Sequence, residues 1–179
     1  LAIYKQLQIL DVDTPYDIRC KIKTLSIAAE KFLEKYNIES IALPVNHLFA
    51  DKVYVREMYI PAGLLIVGKI HKEAHIFQVL SGDVTFVQEN NGLKRYIGPC
   101  MFQVPGGIQK VLLTHTDIHI ATFTSTDIMD VNLWEAENLT TSYEDVGKAE
   151  SELEVLELLS MYEQYEQKAE AKAEARKVE

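Results

Sequence analysis

Four side chains in this sequence have types that could do chemistry: Lys69, His71, His75 and Lys110. The imidazoles can ligate a divalent transition metal or move protons. The ammonium groups can hold a carboxylate or phosphate, but at neutral pH they do not ligate a cation and they repel one. Stable metal sites take three or four protein ligands, so His71 and His75 would need a further partner. His47, His115 and His119 are the candidates for it. Alternate residues of a strand share a face, so Lys69 and His71 point the same way if their segment is extended. Glu73 joins them only if its turn folds inward. The sequence carries no nucleophile elbow, P-loop or dinucleotide-binding glycine pattern. Pro105-Gly106-Gly107 reads as a tight turn, because neither a Lys-Ser/Thr pair nor a helix follows it. Tyr54, Tyr59 and Tyr96 read as strand packing residues.

The elements that must position these groups are legible from periodicity. Asp13-Thr14-Pro15 predicts a helix start. Ile18, Ile22, Leu25, Ala29, Phe32 and Tyr36 follow at spacings of four and three, which puts them on one stripe of a helix ending near Asn37. From Ile41 the pattern changes to short strands: Lys52–Ile60, His75–Leu80, Asp83–Gln88, Leu93–Ile97, Met101–Val104, Gln109–Thr114 and Ile118–Thr124. Pro61-Ala62-Gly63, Ser81-Gly82, Glu89-Asn90-Asn91-Gly92 and the Pro105 turn punctuate them, which predicts an antiparallel sandwich or barrel. After Trp134 a polar bridge, Glu135–Gly147, leads to a C-terminal helix with an apolar stripe of Val155, Leu158, Leu159, Tyr162 and Tyr165. Beyond it, Lys168, Lys172 and Arg176 form one row and Glu166, Glu170 and Glu174 another, on roughly opposite faces. That end is expected to fray unless something pairs with it.

The chain has 179 residues, 47% hydrophobic and 25% charged, which suits one globular domain with appendages. No apolar run approaches a membrane span and no leader pattern opens the chain; a start on Leu1 leads us to expect a true start further upstream. Net charge is −9, of which −6 lies in residues 144–179. No basic stripe is present, so neither nucleic acid nor membrane is an expected partner. Cys20 and Cys100 read as free buried thiols of an intracellular protein.

Two spacings give the four residues a common frame. Gly63 is followed by five residues, then Lys69-Ile70-His71, three residues, His75, six residues and Gly82. Gly98 is followed by six residues, then Pro105-Gly106-Gly107, two residues and Lys110. These resemble the two short motifs of the cupin proteins, whose fold is a small jelly-roll barrel. Matched position by position, Lys69 stands where the first motif has its first histidine, His71 is retained, His75 replaces a glutamate, and Lys110 replaces the second motif's histidine. The resemblance implies that all four converge inside one barrel. There they would be packed core or rim residues, a cationic pocket for a small anion, or a two-histidine metal site; the lysines weigh against the last.

A closer resemblance is to a group of small cupin-like proteins of tailed bacteriophages and prophages. It is carried over roughly residues 40–135 by His47-Leu48-Phe49-Ala50-Asp51, Val53-Tyr54-Val55-Arg56-Glu57, Ile60-Pro61-Ala62-Gly63, Gly68-Lys69-Ile70-His71-Lys72 with His75, and Leu80-Ser81-Gly82. Pro99, Pro105, Gly107, Lys110 and Asp117 also fit. Ile120 and Thr124 stand where that group tends to have Trp and His. The resemblance implies a phage context, with the chain in the host cytoplasm or virion, and implies no reaction.

The expected architecture is therefore mainly β, a cupin/RmlC-like jelly-roll barrel over 41–134. A helix and linker precede it over 1–40, and an acidic linker and helix follow over 135–179. The leading functional expectation is a non-enzymatic assembly or binding module, homo-oligomeric or docked on a phage structural or host protein through its helices. The alternative is a small-anion or divalent-metal cupin, with Lys69, His71, His75 and Lys110 as ligand-binding residues and His71 and His75 as metal ligands, acting on a sugar or carboxylate.

Overall fold

A computed structural model describes residues 13–149 and 151–175. Helix α1, Pro15–Lys35, starts with a capping box. Thr14 Oγ1 accepts from the Asp17 N–H at 3.2 Å, and the Thr14 N–H donates to Asp17 Oδ2 at 2.8 Å. Two otherwise orphaned donors are satisfied in this way, with Pro15 pre-set for the first turn.

Eleven strands follow, with one helix among them. A five-stranded antiparallel sheet has the order β1(Val45–Ala50)-β2(Val53–Ile60)-β10(Ile118–Ser125)-β5(His75–Ser81)-β8(Cys100–Val104). A four-stranded sheet has the order β3(Leu65–Val67)-β9(Lys110–Thr114)-β6(Asp83–Gln88)-β7(Gly92–Ile97). The two inner faces meet on Ile60, Phe77, Val79, Val84, Phe86, Val104, Leu112, Ile118 and Ile120. This is a jelly-roll barrel, mainly β and antiparallel as its strand pattern predicts.

The sheets differ on their outer faces. β6 and β9 are buried on both sides, because α1 and helix α3 (Glu152–Ala175) cover them. Ile18, Ile22, Leu25 and Ala28 pack with Val87 and Val111 from the barrel and Val155 and Leu159 from α3. Burying this stripe is what holds the helices, since helices in proteins owe most of their stability to tertiary packing. Beyond the barrel the stripe runs out, and Phe32 and Tyr36 are 42% and 45% exposed.

Two expectations about the C-terminal part are corrected. The bridge read as a polar linker contains the second half of helix α2 (Val131–Asn138) and strand β11 (Leu139–Thr140), which pairs with β4 (Ile70–His71). Trp134 anchors it, fully buried against Tyr54. The charged end does not fray where it was expected to. α3 continues to Ala175, and its acidic row meets α1: Lys35 pairs with Glu170 at 2.8 Å and Glu166 at 3.6 Å, and Lys31 with Glu163 at 2.9 Å. The side chains of Tyr165, Lys172 and Glu174, and Arg176 altogether, lie outside the described residues.

The Pro105 turn fixes the end of the barrel that carries His71. Gly107, at φ +71°, donates to the His71 carbonyl at 2.8 Å, and Ile108 bridges His71. A Cβ on Gly106 would lie 2.3 Å from the Lys72 carbonyl oxygen, a backbone atom that cannot move alone. Gly106→Ala is therefore expected to destabilise the fold by about 1–3 kcal/mol, read as a lower denaturation midpoint.

Candidate functional site

Strand alternation puts Tyr54, Arg56, Met58 and Ile60 on the inner face of β2, and Ile118, Ile120, Thr122 and Thr124 on that of β10. Register places Arg56 opposite Thr122 and Thr122 opposite Phe77, so the three form one row across the sheet. Facing them from the other sheet is Lys110 on β9, with Gln88 as its cross-strand neighbour. Between the sheets lies a cavity of about 210 Å³. Its apolar lining includes Met58, Ile60, Ile66, Phe77, Leu112, Ile120 and Leu139; its polar lining is Arg56, Lys69, His71, Lys110 and Thr122.

Lys110 is the central group. Only 4% exposed, its Nζ lies 2.7 Å from His75 Nε2 and 4.8 Å from the centre of the Phe77 ring. No carboxylate among the described residues meets it. Burial pushes its pKa down to about 7. His75 Nδ1 lies 3.3 Å from the Glu73 carbonyl oxygen, which suits an Nδ1–H donor and leaves Nε2 to accept from Lys110. His71 stacks on His75 with ring centres 4.2 Å apart. Burial first, then the nearby Lys110 charge, lowers His75 to about 3; burial, Lys110, His75 and Arg56 lower His71 to about 2. Both rings are neutral at ordinary pH.

The mouth carries a second charged group. Arg56 Nη1 lies 2.5 Å from Glu135 Oε1, and Lys69 Nζ 3.7 Å from Glu135 Oε2. Two cations thus share one carboxylate, while Lys110 inside adds a third basic group. His71, His75 and Lys110 come together in the barrel. Lys69 is half-exposed at the rim, because it precedes β4 instead of lying in it. Glu73 is exposed and offers only its carbonyl.

A divalent metal fits these residues poorly. No group of three His, Cys, Asp or Glu side chains among the described residues could hold one. His75 Nε2, the nitrogen free to ligate, has Lys110 seated on it. The expected third histidines go elsewhere: His47 to Tyr54 Oη at 2.5 Å, His115 to Thr85 Oγ1 at 2.7 Å, and His119 to Glu57 at 2.6 Å on the outer face. Ile120 lines the cavity and Thr124 is buried with no partner for its hydroxyl.

Arg56, Thr122 and Glu135 were not singled out as site residues in the sequence. Arg56 could have been found, since it shares the period-2 face of Tyr54, Met58 and Ile60. Thr122 sits among other strand threonines and carries no signal of its own. Glu135 opens the stretch read as linker.

With this geometry the chain is a jelly-roll barrel of the cupin fold that holds a lysine–histidine pair between its two sheets. No family model and no curated protein matches the sequence. Among solved structures it is similar to an RmlC-like cupin protein of Methanocaldococcus jannaschii, at 12% identity and TM-score 0.41, covering 49% of this chain and 83% of that one. It is also similar to the DMSP lyase DddQ of Ruegeria pomeroyi, at 18% identity and TM-score 0.44, covering 50% of this chain and 49% of that one. A third is a cupin-2 domain protein of Shewanella frigidimarina, at 9% identity and TM-score 0.40, covering 53% and 92%. The chain thus spans about half the length of the lyase it resembles.

The lowered histidines make stability depend on pH. An unfolded chain takes up protons on both imidazoles below about pH 6.5 and the folded barrel does not, so acid favours unfolding. Between pH 7 and pH 5 each histidine is expected to cost roughly 1–2 kcal/mol. Thermal melts should show the midpoint falling over that range, and a smaller fall in the His71→Phe/His75→Phe double variant.

Proposed function

We propose that the barrel binds a small organic anion, a carboxylate with a compact apolar body. The observation that carries this reading is the cavity itself: an apolar floor beneath three basic groups, Arg56, Lys69 and Lys110, that have one carboxylate, Glu135, among them. Arginine matches a carboxylate with a planar fork, and a low-dielectric wall strengthens the pairing. A cavity of about 210 Å³ favours an acid of a few carbons over a sugar. Isobutyrate or benzoate at millimolar concentration is expected to raise the melting temperature, and the matched amides are not. Arg56→Gln and Lys110→Met should each abolish the shift; no stabilisation by any carboxylate would remove the proposal.

A second reading, assembly, is supported by the five-stranded sheet. Antiparallel sheets usually put polar residues on the face turned to water. Here the outward positions include Leu48, Val53, Tyr59, Ile76 and Met101, all at least 36% exposed. Glu57 is the charged residue on that face, and it is paired with His119. A face so poor in charge suits a second copy of the same chain, placed by a twofold axis. The helices, by contrast, spend most of their apolar stripes within the chain. A phage setting, in host cytoplasm or virion, belongs to this assembly reading and rests on the resemblance alone. Sedimentation velocity should give a dimer, and Ile76→Glu with Met101→Lys a folded monomer.

A further inference from the structure

We infer that Lys110 is a carbonyl-reactive amine that forms an imine with a small 2-oxo acid inside the barrel. This rests on the carboxylate-binding reading above and assigns the ligand's second functional group.

The geometry has three parts. First, Lys110 Nζ is buried on the cavity wall, beside the Phe77 ring, and no carboxylate among the described residues meets it, so no opposite charge holds it as ammonium. Second, His75 Nε2 accepts one of its N–H bonds at 2.7 Å. With Nδ1–H held toward the Glu73 carbonyl, His75 acts as a fixed acceptor that orients the nitrogen and does not compete for its lone pair. Third, the row Arg56–Thr122–Phe77 lays out a ruler. Neighbouring strands are about 4.8 Å apart, so Arg56 is roughly 10 Å of backbone from Phe77, over which Lys110 sits. Both long side chains extend into the one cavity, so an acid whose carboxylate meets the Arg56 guanidinium brings the carbonyl carbon beside that carboxylate within reach of Lys110 Nζ. Thr122 stands between Arg56 and Phe77 on the sheet, lining the cavity and more than nine-tenths buried.

The chemistry is that of amine and ketone. The neutral amine forms a C–N bond at the carbonyl carbon as the π pair moves to oxygen, and the proton lost by nitrogen goes to that oxygen. A proton from solvent then turns the hydroxyl of this carbinolamine into leaving water, while the nitrogen lone pair forms the C=N bond. The products are one protonated imine and one water, and no electrons are exchanged. An amine desolvated in an apolar pocket reacts this way at neutral pH because it is not held as ammonium.

The test uses the full chain at pH 7.5 with 2-oxobutyrate and cyanoborohydride, followed by intact mass and peptide mapping. The expected result is one adduct, with the mass of the acid less one oxygen, on Lys110. It should form about tenfold or more faster than on surface lysines, which stay protonated. Butanone, lacking the carboxylate, should label Lys110 at least about tenfold more slowly, and Arg56→Gln should remove that difference. Lys110→Arg should show no adduct; its melting temperature reports whether it folds, and the Arg56→Gln comparison stands if it does not. Stabilisation by isobutyrate without labelling of Lys110 would overturn the imine and leave carboxylate binding intact. Labelling spread evenly over the lysines would overturn it too, and loss of both responses would remove both readings.

Discussion

A lysine buried without a carboxylate sets the terms for the rest of this barrel. Taking an ammonium out of water is costly, and the usual remedy is an acidic partner. Lys110 has instead an imidazole acceptor, an aromatic face and a shift toward its neutral form. Each remedy constrains its surroundings. The imidazole must stay neutral, so its other nitrogen is turned to the Glu73 carbonyl, and the second imidazole stacks on it uncharged. The Pro105 turn must hold the His71 strand against the barrel end, and it approaches so closely that only glycine fits at residue 106.

The same constraint separates inside from rim. Deep in the barrel, charge is suppressed and the walls are apolar. At the mouth, Arg56, Lys69 and Glu135 keep their charges in contact with water and with each other. The mouth depends on the α2–β11 segment, which supplies Glu135 and, through the wholly buried Trp134, locks onto Tyr54. A barrel with an open end has thereby acquired a charged collar without adding a domain.

How much of this could be read from the sequence depends on which physical signal each residue carries. Strand boundaries were legible because Gly and Pro punctuate them, and β6 was placed over Asp83–Gln88 to the residue. The meeting of His71, His75 and Lys110 was legible from motif spacing, since spacing fixes register in a barrel. Lys69 was placed inside by assuming strand alternation, and β4 begins one residue too late for that. Glu135 and Trp134 were hidden because α2 has only eight residues, too few to show a clear period. The Lys35–Glu170 contact was half legible: the acidic row was visible on α3, but a partner 135 residues away in the chain has no local signature.

The strand order also governs how this chain must come together. β10 is the central strand of its sheet, yet it is the last long strand in sequence, with Ile118 paired to Ile60 on one side and Phe123 to Ile76 on the other. Until it arrives, the β1–β2 hairpin and the β5–β8 pair are separate pieces, each with an open edge. A nascent chain cut short before Ile118 would present two unpaired templates rich in Val, Ile and Phe. Formation of the sheet waits on contacts distant in sequence, which is the slow step in β folding.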